Sequence, residues 1–154
     1  METFHTLMRD AALRLKNADH MVYVTYPLIN DPKLIIVIIE HLYHALLNAL
    51  NALIKYEYHQ KRLYYMPQTL TETVRLLRDQ LMDDYRFSLH IPAIFDELHR
   101  LIEFRKKSPI EFVRKANFVI CDTNYSTHMI NFQKIKKYDQ EIKSFIYHVQ
   151  EIIK

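Results

Sequence analysis

The chain has 154 residues, of which 49% are hydrophobic and 25% are charged, and its formal net charge is +3. This size and apolar content predict one domain, residues 1–154, around a single core. The chain contains no glycine, which excludes glycine-dependent phosphate loops, nucleophile elbows and EF-hand loops and disfavours turn-rich sandwiches and barrels. The predicted fold is all-α, an up-down bundle of about five helices.

The first two predicted helices follow from apolar spacing and a boundary that contains proline. Apolar residues recur at steps of three and four over residues 4–29, which indicates one helical face. Asp31 then offers an N-cap, and Pro32 suits a first helical position. The second helix is therefore predicted to run over about 32–65.

Three further helices are predicted over about 69–87, 92–107 and 132–152. Thr69 and Glu72 form a capping box at the start of the first of them, and Pro92 marks the start of the second. The last is predicted from its amphipathic spacing.

The segment between the fourth and last helices departs from this pattern. Ser108 and Glu111 form a second capping box, which predicts a short helical piece to about 115. Residues 118–130 are β-rich and turn-like. A short β-hairpin or an irregular segment is therefore predicted near 117–130.

The second helix carries an unusual polar face. At steps of three and four stand His41, His44, Asn48, Asn51 and Lys55. A solvated helix face is usually rich in Glu and Lys, so this stripe indicates a half-buried polar seam that faces a second subunit, another helix or a ligand. The alternative is an ordinary solvent-exposed face.

Basic residues cluster in the C-terminal third of the chain. The candidates for nucleic-acid binding are Arg105, Lys106, Lys107, Arg114 and Lys115. Cations beside aromatic side chains can bind exposed bases. Cations at a helix C-terminus also interact favourably with the helix dipole, so both interpretations stay open.

Metal ligation requires side chains in a particular order. Glu40, His41 and His44 share one helix, and Asp96 and His99 share another. Di-iron bundles use paired Glu-x-x-His motifs, and the chain has no such pair. No metal and no cofactor are therefore expected.

Compartment is predicted from the cysteine count and from the start of the chain. Cys121 is the one cysteine, so it has no internal disulfide partner, and its apolar neighbours predict a buried, inert thiol. The N-terminal residues lack the basic and apolar segments of a signal peptide. The apolar second helix carries too many polar groups to favour a membrane span. A cytoplasmic protein without a membrane partner is expected.

The first 60 residues resemble a known superfamily. Residues 11–21 (AALRLKNADHM) and 40–55 (EHLYHALLNALNALIK) are similar in their small and apolar positions to the HEPN superfamily. The resemblance implies a small helical bundle, a homodimer, and a partner such as a nucleotidyltransferase-type protein, a nucleic acid or a nucleotide.

The resemblance also bears on catalysis. Active HEPN members cut RNA with an Arg-x4–6-His motif late in the bundle. This chain has Arg14 and His20 at that spacing, but in the first helix, whereas Arg86 and His90 are separated by three residues only. The resemblance therefore implies a non-catalytic module that dimerises and binds a partner protein or a nucleotide or nucleic-acid ligand. The alternative is a metal-independent ribonuclease that uses one of these two pairs.

Overall fold

A computed structural model of the chain describes residues 3–107, 110–114, 117–121 and 127–154, with the backbone alone for 107, 110–114, 117–121 and 127–130. The elements in chain order are α1 (Phe4–His20), π1 (Met21–Thr25), α2 (Tyr26–Ile29), α3 (Leu34–His59), α4 (Leu70–Leu76), π2 (Leu77–Leu81), α5 (Met82–Tyr85), α6 (His90–Lys107), β1 (Ile110–Arg114), β2 (Asn117–Cys121), β3 (Thr127–Asn131) and α7 (Phe132–Ile153). Each π-helical turn continues the α-helix before it. The helical elements thus form five rods, which confirms the predicted all-α bundle, and the three strands form one small antiparallel sheet in the order β1-β2-β3.

Side-chain caps fix three of the helix starts. The hydroxyl oxygen of Thr69 accepts a hydrogen bond from the backbone N–H of Glu72 at 3.1 Å. Thr3 caps α1 in the same way, and the side chain of Asn131 caps α7. Each cap satisfies a backbone donor that has no partner within the first helical turn.

Helix α3 lies at the centre of the bundle. It packs against α1, α6 and α7, and its apolar side chains from Ile35 to Ile54 form the middle of the core. Helices α1 and α3 both bury alanines, and small side chains let helix backbones approach closely. By length and composition α3 could also cross a membrane, but over half of that apolar stretch is buried inside the bundle.

A buried carboxylate that pairs with a half-exposed arginine holds the C-terminal end of α3. Glu57 is only 1% exposed, and its carboxylate accepts a hydrogen bond from Arg62 Nε at 2.6 Å and another from the Tyr85 hydroxyl. Burial and the Glu57 carboxylate raise the pKa of Tyr85 to about 12. A buried carboxylate is tolerated only when it is paired and hydrogen-bonded, so this network joins the end of α3 to α5.

Among the described residues, three adopt positive φ angles, and each lies at a helix end: Asn30 (55°), Lys61 (62°) and Arg86 (54°). After α3, the N–H of Lys61 bonds to the carbonyl of Tyr58, and the N–H of Arg62 bonds to the carbonyl of Glu57. This pattern is a Schellman motif, whose left-handed position is usually glycine. The chain places a lysine there.

Two sequence predictions on element boundaries are wrong. Helix α3 ends at His59 rather than near 65, because the Schellman turn at Lys61 stops it. Residues 110–114 form strand β1 and not a helix, since β1 pairs with β2 in an antiparallel ladder from Ile110↔Cys121 to Arg114↔Asn117. Pairing with β2 satisfies backbone groups that a single helical turn would leave open. Strands β2 and β3 pair as the predicted hairpin.

Replacing Lys61 with glycine should stabilise the protein. A side chain in the left-handed region costs about 1 kcal/mol relative to glycine, and Lys61 has φ 62°. The free energy of unfolding of Lys61→Gly, measured by urea denaturation, should therefore rise by about 1 kcal/mol.

Gln60→Gly is the matched control, because Gln60 precedes Lys61 and has φ −79°, where glycine relieves no strain. This variant should lose stability, since glycine adds conformational entropy to the unfolded chain. Equal effects of the two substitutions would contradict a strained Lys61.

Candidate functional site

Within the described part of the chain, the neighbours of α3 leave its polar face accessible. Four residues of the predicted seam are half-buried and His44 is exposed. The four half-buried residues are His41, Asn48, Asn51 and Lys55. They form one accessible stripe on the side of α3 opposite its core-facing leucines, and we call this stripe with its neighbours the α3 groove. His41 lines a cavity at one end of it, and Asn51 and Lys55 line another cavity, of about 230 Å³, near the other end.

Helix α1 contributes Arg14 to one wall of the α3 groove. Arg14 Nη1 lies 3.3 Å from Nδ1 of His41. Burial lowers the pKa of His41, and the positive charge of Arg14 lowers it further. A neutral His41 accepts from the guanidinium through Nδ1, which leaves a proton on Nε2. His41 can therefore donate a hydrogen bond to a ligand.

The C-terminal end of α6 lies on the other side of the groove. Arg105 Nη1 is 3.7 Å from Glu40 Oε1 of α3. The pKa of His44 is lowered by burial, then by Arg14, and also by the charge of Lys106. The basic cluster and the polar seam, separate in the sequence, thus meet at one surface. Lys107, Arg114 and Lys115 have side chains outside the described part of the chain, as does Cys121.

The structure does not bring together either Arg–His pair predicted from the resemblance. Arg14 contacts His41, whereas the ring of His20 lies 3.4 Å from the hydroxyl of Thr25 across the π1 turn. His20 and His41 do line one cavity of about 530 Å³ at the end of the α3 groove.

Arg86 and His90, the second predicted pair, also have separate positions and contacts. Arg86 forms the C-cap of α5 in the left-handed conformation. Nδ1 of His90, at the start of α6, is 3.1 Å from Oε1 of Glu141 on α7. His90 also lines a groove between α6 and α7 with Lys137 and Tyr138.

The residues considered for metal binding have other partners. Besides the Glu40 and His41 contacts above, Asp96 pairs with Arg78, and Nδ1 of His99 lies 3.1 Å from the Tyr43 hydroxyl. Among the described residues, no three His, Cys, Asp or Glu side chains lie close enough to hold a metal ion together.

A buried carboxyl pair lies next to the cavity that His20 and His41 share. Asp139 of α7 is fully buried, and among the described residues no donor reaches either of its oxygens. Burial raises the pKa of Asp139 to about 7, and the neighbouring Asp19 raises it too. Asp19 lines the cavity, and its Oδ1 is 2.6 Å from Lys143 Nζ.

The two carboxyls titrate as a coupled pair. Burial alone would raise the pKa of Asp19, but hydrogen bonds with Asp139 and Lys143 hold it below its ordinary value. A protonated Asp139 can donate to the Asp19 carboxylate, and two such groups share one proton near neutral pH.

The position of Asp139 along α7 could have predicted a buried carboxyl, although its neighbours in sequence are polar. Asp139 sits in a polar run, KKYDQEIK, which suggests a solvated face. At steps of three and four, however, it lies in line with the buried Ile135, Ile142 and Ile146. An aspartate in the apolar stripe of a helix predicts a buried, perturbed carboxyl.

Comparisons with known proteins return no match for this chain. No family model matches it, and neither does a curated protein or a solved structure. The chemistry of the site is therefore argued from its side chains. The α3 groove has imidazole and amide groups on its floor and cations on both sides, a combination that suits an anionic ligand with hydrogen-bonding oxygens.

The stability of Asp139→Asn relative to the wild type should increase as pH rises. The pKa of Asp139 is raised from 3.8 to about 7, so between these values the native chain binds more protons than the unfolded chain and loses stability with increasing pH. His41 and His44, whose pKa values are lowered, act in the opposite direction. The difference in Tm between Asp139→Asn and wild type isolates the carboxyl, and it should grow from about pH 5 to about pH 8.

Asp84→Asn serves as the control, because Asp84 is an exposed acid on α5. Its Tm difference from wild type should stay nearly constant over the same range. A constant difference for Asp139→Asn as well would mean that Asp139 keeps an ordinary pKa in the folded protein.

Proposed function

We propose that this protein is a non-catalytic binding module that holds the phosphate backbone of RNA in the α3 groove. The observation that carries the proposal is the placement of cations on both sides of a polar floor. Arg14 contacts His41 from α1, and Lys106 lies near enough to lower the pKa of His44 from α6. Cations and hydrogen-bond donors together are the usual contacts to phosphate.

The length of the groove favours a polymer. His41 and Lys55 are 14 residues apart on one helix, so the floor extends for about 21 Å at 1.5 Å per residue. A single phosphate would occupy only one end of it. Asn48 and Asn51 lie between the two ends, and their amides can bond to phosphate or sugar oxygens along the strand.

The electrostatics of the two histidines support binding without cleavage. Burial and the neighbouring cations lower the pKa values of both His41 and His44, so neither imidazole holds a second proton at neutral pH. Metal-independent cleavage of RNA needs a general base and also a protonated general acid. Neither of these two histidines supplies the protonated acid.

Ribonuclease activity is the second candidate. It is favoured by the cavity of about 530 Å³ that His20 and His41 line together. With Arg14 bound to His41, this end of the groove holds two imidazoles and a guanidinium. In this candidate His20 takes the proton from a ribose hydroxyl and returns it to the leaving oxygen, while Arg14 and the Nε2–H of His41 bind the phosphate.

The homodimer and the nucleotidyltransferase-type partner stay predictions, as does the cytoplasmic location. A dimer formed through α3 would cover the same residues that we assign to RNA, and one variant separates the two. Asn48→Lys adds a cation to the floor, so it should tighten RNA binding. In a dimer through α3 it would place two charges at the interface and favour the monomer in light scattering.

Removing the charge of Arg14 should lower the affinity for RNA and make that affinity less dependent on salt concentration. Arg14→Gln deletes one phosphate-neutralising charge, so affinity for a fluorescent RNA should fall severalfold and the salt slope should decrease by about 1. Fluorescence anisotropy across a salt series measures both quantities.

Lys154→Gln is the control, because Lys154 is exposed at the end of α7 and pairs with Glu151. This substitution should leave both quantities nearly unchanged. Equal effects of the two variants, or no binding by the wild type, would overturn the proposed RNA site.

RNA incubated with the wild type should remain intact. The same fluorescent RNA, followed by gel electrophoresis after prolonged incubation with EDTA, distinguishes binding from cleavage. Cleavage that disappears in His20→Ala and persists in His90→Ala would replace the binding-only proposal with the ribonuclease candidate.

A further inference from the structure

An aromatic groove adjoins the Lys55 end of the α3 groove. It has a volume of about 930 Å³, and Lys55 belongs to both grooves. The other lining residues are Thr3, Phe4, Tyr58, His59, Lys61, Leu63, Tyr64 and Met66. They come from the starts of the chain and of α1, the last turn of α3, and the segment that follows α3.

The aromatic rings of this groove present unusually large accessible surfaces. Tyr64 is 97% exposed and Tyr58 is 48% exposed, whereas Leu63, next to Tyr64, is buried in the core. The fold thus anchors the segment through Leu63 and leaves the adjacent tyrosine ring outside. A ring of this size without packing is available to stack on a ligand.

The charges around the aromatic groove have one sign. Lys55 and Lys61 line it, and none of its described lining residues is acidic. Lys61 holds its position at φ 62°, although glycine would adopt that conformation at lower energy. The strained lysine therefore keeps an ammonium group beside the exposed rings.

We propose that the aromatic groove binds an unpaired nucleobase by stacking it on Tyr64 and Tyr58, which makes the ligand a single-stranded RNA. This inference rests on the proposed function, since the phosphates of the same strand occupy the α3 groove. Base stacking on aromatic side chains, combined with cations that follow the backbone, is the recognised way to hold a single strand without reading its sequence.

The combination of groups favours a nucleobase over an apolar peptide. A peptide that buried only apolar side chains would gain little from two basic groups. A base linked to a phosphate uses both the rings and the cations. Continuity through Lys55 also lets one strand pass from the phosphate contacts near Arg14 to the rings at Tyr64 without leaving the protein surface.

The test compares two oligonucleotides of about 12 residues with equal numbers of phosphates, a size that single-strand sites accommodate. One is oligo-uridine, and the other is abasic throughout. Wild type should bind the oligo-uridine about tenfold more tightly than the abasic strand, by anisotropy at one salt concentration. Tyr64→Ala should remove most of this preference and leave the affinity for the abasic strand unchanged.

Two further variants isolate the ring of Tyr64. Tyr64→Phe keeps the stacking surface and should bind oligo-uridine as the wild type does. Tyr147→Ala removes an exposed tyrosine of α7, which is 56% exposed and does not line the aromatic groove, and it should leave the preference intact. Because the Tyr64 ring packs against nothing in the described part of the fold, Tyr64→Ala should fold normally, and a lost preference for oligo-uridine would then reflect the missing ring. Circular dichroism checks that the variant is folded.

The outcomes separate this inference from the proposed function. Equal affinity of the wild type for the two strands, with both weakened by Arg14→Gln, would overturn base stacking and leave the phosphate site standing. A Tyr64→Phe variant that behaves like Tyr64→Ala would also overturn stacking. Failure to bind either strand would overturn the proposed function and this inference with it.

Discussion

The burial of α3 on three sides is the constraint on which the rest of the structure depends. Its neighbours α1, α6 and α7 cover the apolar side chains, and fully burying each large side chain is worth about 1.5–3 kcal/mol. One stripe from His41 to Lys55 is left over. Because the helix cannot rotate without exposing its core face, the residues of this stripe are fixed at the surface. The position of the α3 groove is therefore a consequence of core packing.

The absence of glycine has a structural consequence at the helix ends. Turns after α2, α3 and α5 still require left-handed residues, and the chain uses Asn30, Lys61 and Arg86. Asparagine adopts this conformation with little penalty, whereas lysine and arginine do so at a cost of about 1 kcal/mol. Strain that persists beside a candidate ligand site is consistent with a role for the side chain. Lys61 meets this description, since it lines the aromatic groove.

The sequence predicted the rods of the bundle but not the partners of individual side chains. Apolar spacing and capping residues depend on local chemistry, so the first rod (α1, π1 and α2) and α7 could be placed to within a few residues. The neighbours of the polar seam depend on how helices distant in sequence pack, so the contact between Arg14 and His41 was not predictable. Strand β1 was predicted wrongly because a capping box is a local signal, and pairing with β2 is not. The carboxyl of Asp139 was missed because its polar neighbours outweighed its position in the apolar stripe.

The network around Glu57 links the packing of α3 to the aromatic groove. The backbone of Arg62 bonds to the carbonyl of Glu57, and its guanidinium bonds to the carboxylate of the same residue. The hydroxyl of Tyr85 on α5 also bonds to the Glu57 carboxylate. Leu63, the residue after Arg62, is buried in the core. Three successive interactions therefore fix the chain just before Tyr64. Because the backbone before Tyr64 is fixed, the segment loses little further backbone freedom when a base stacks on the ring, so more of the stacking energy is available for affinity. The irregular segment after α3 is thus as well positioned for binding as a helix would be.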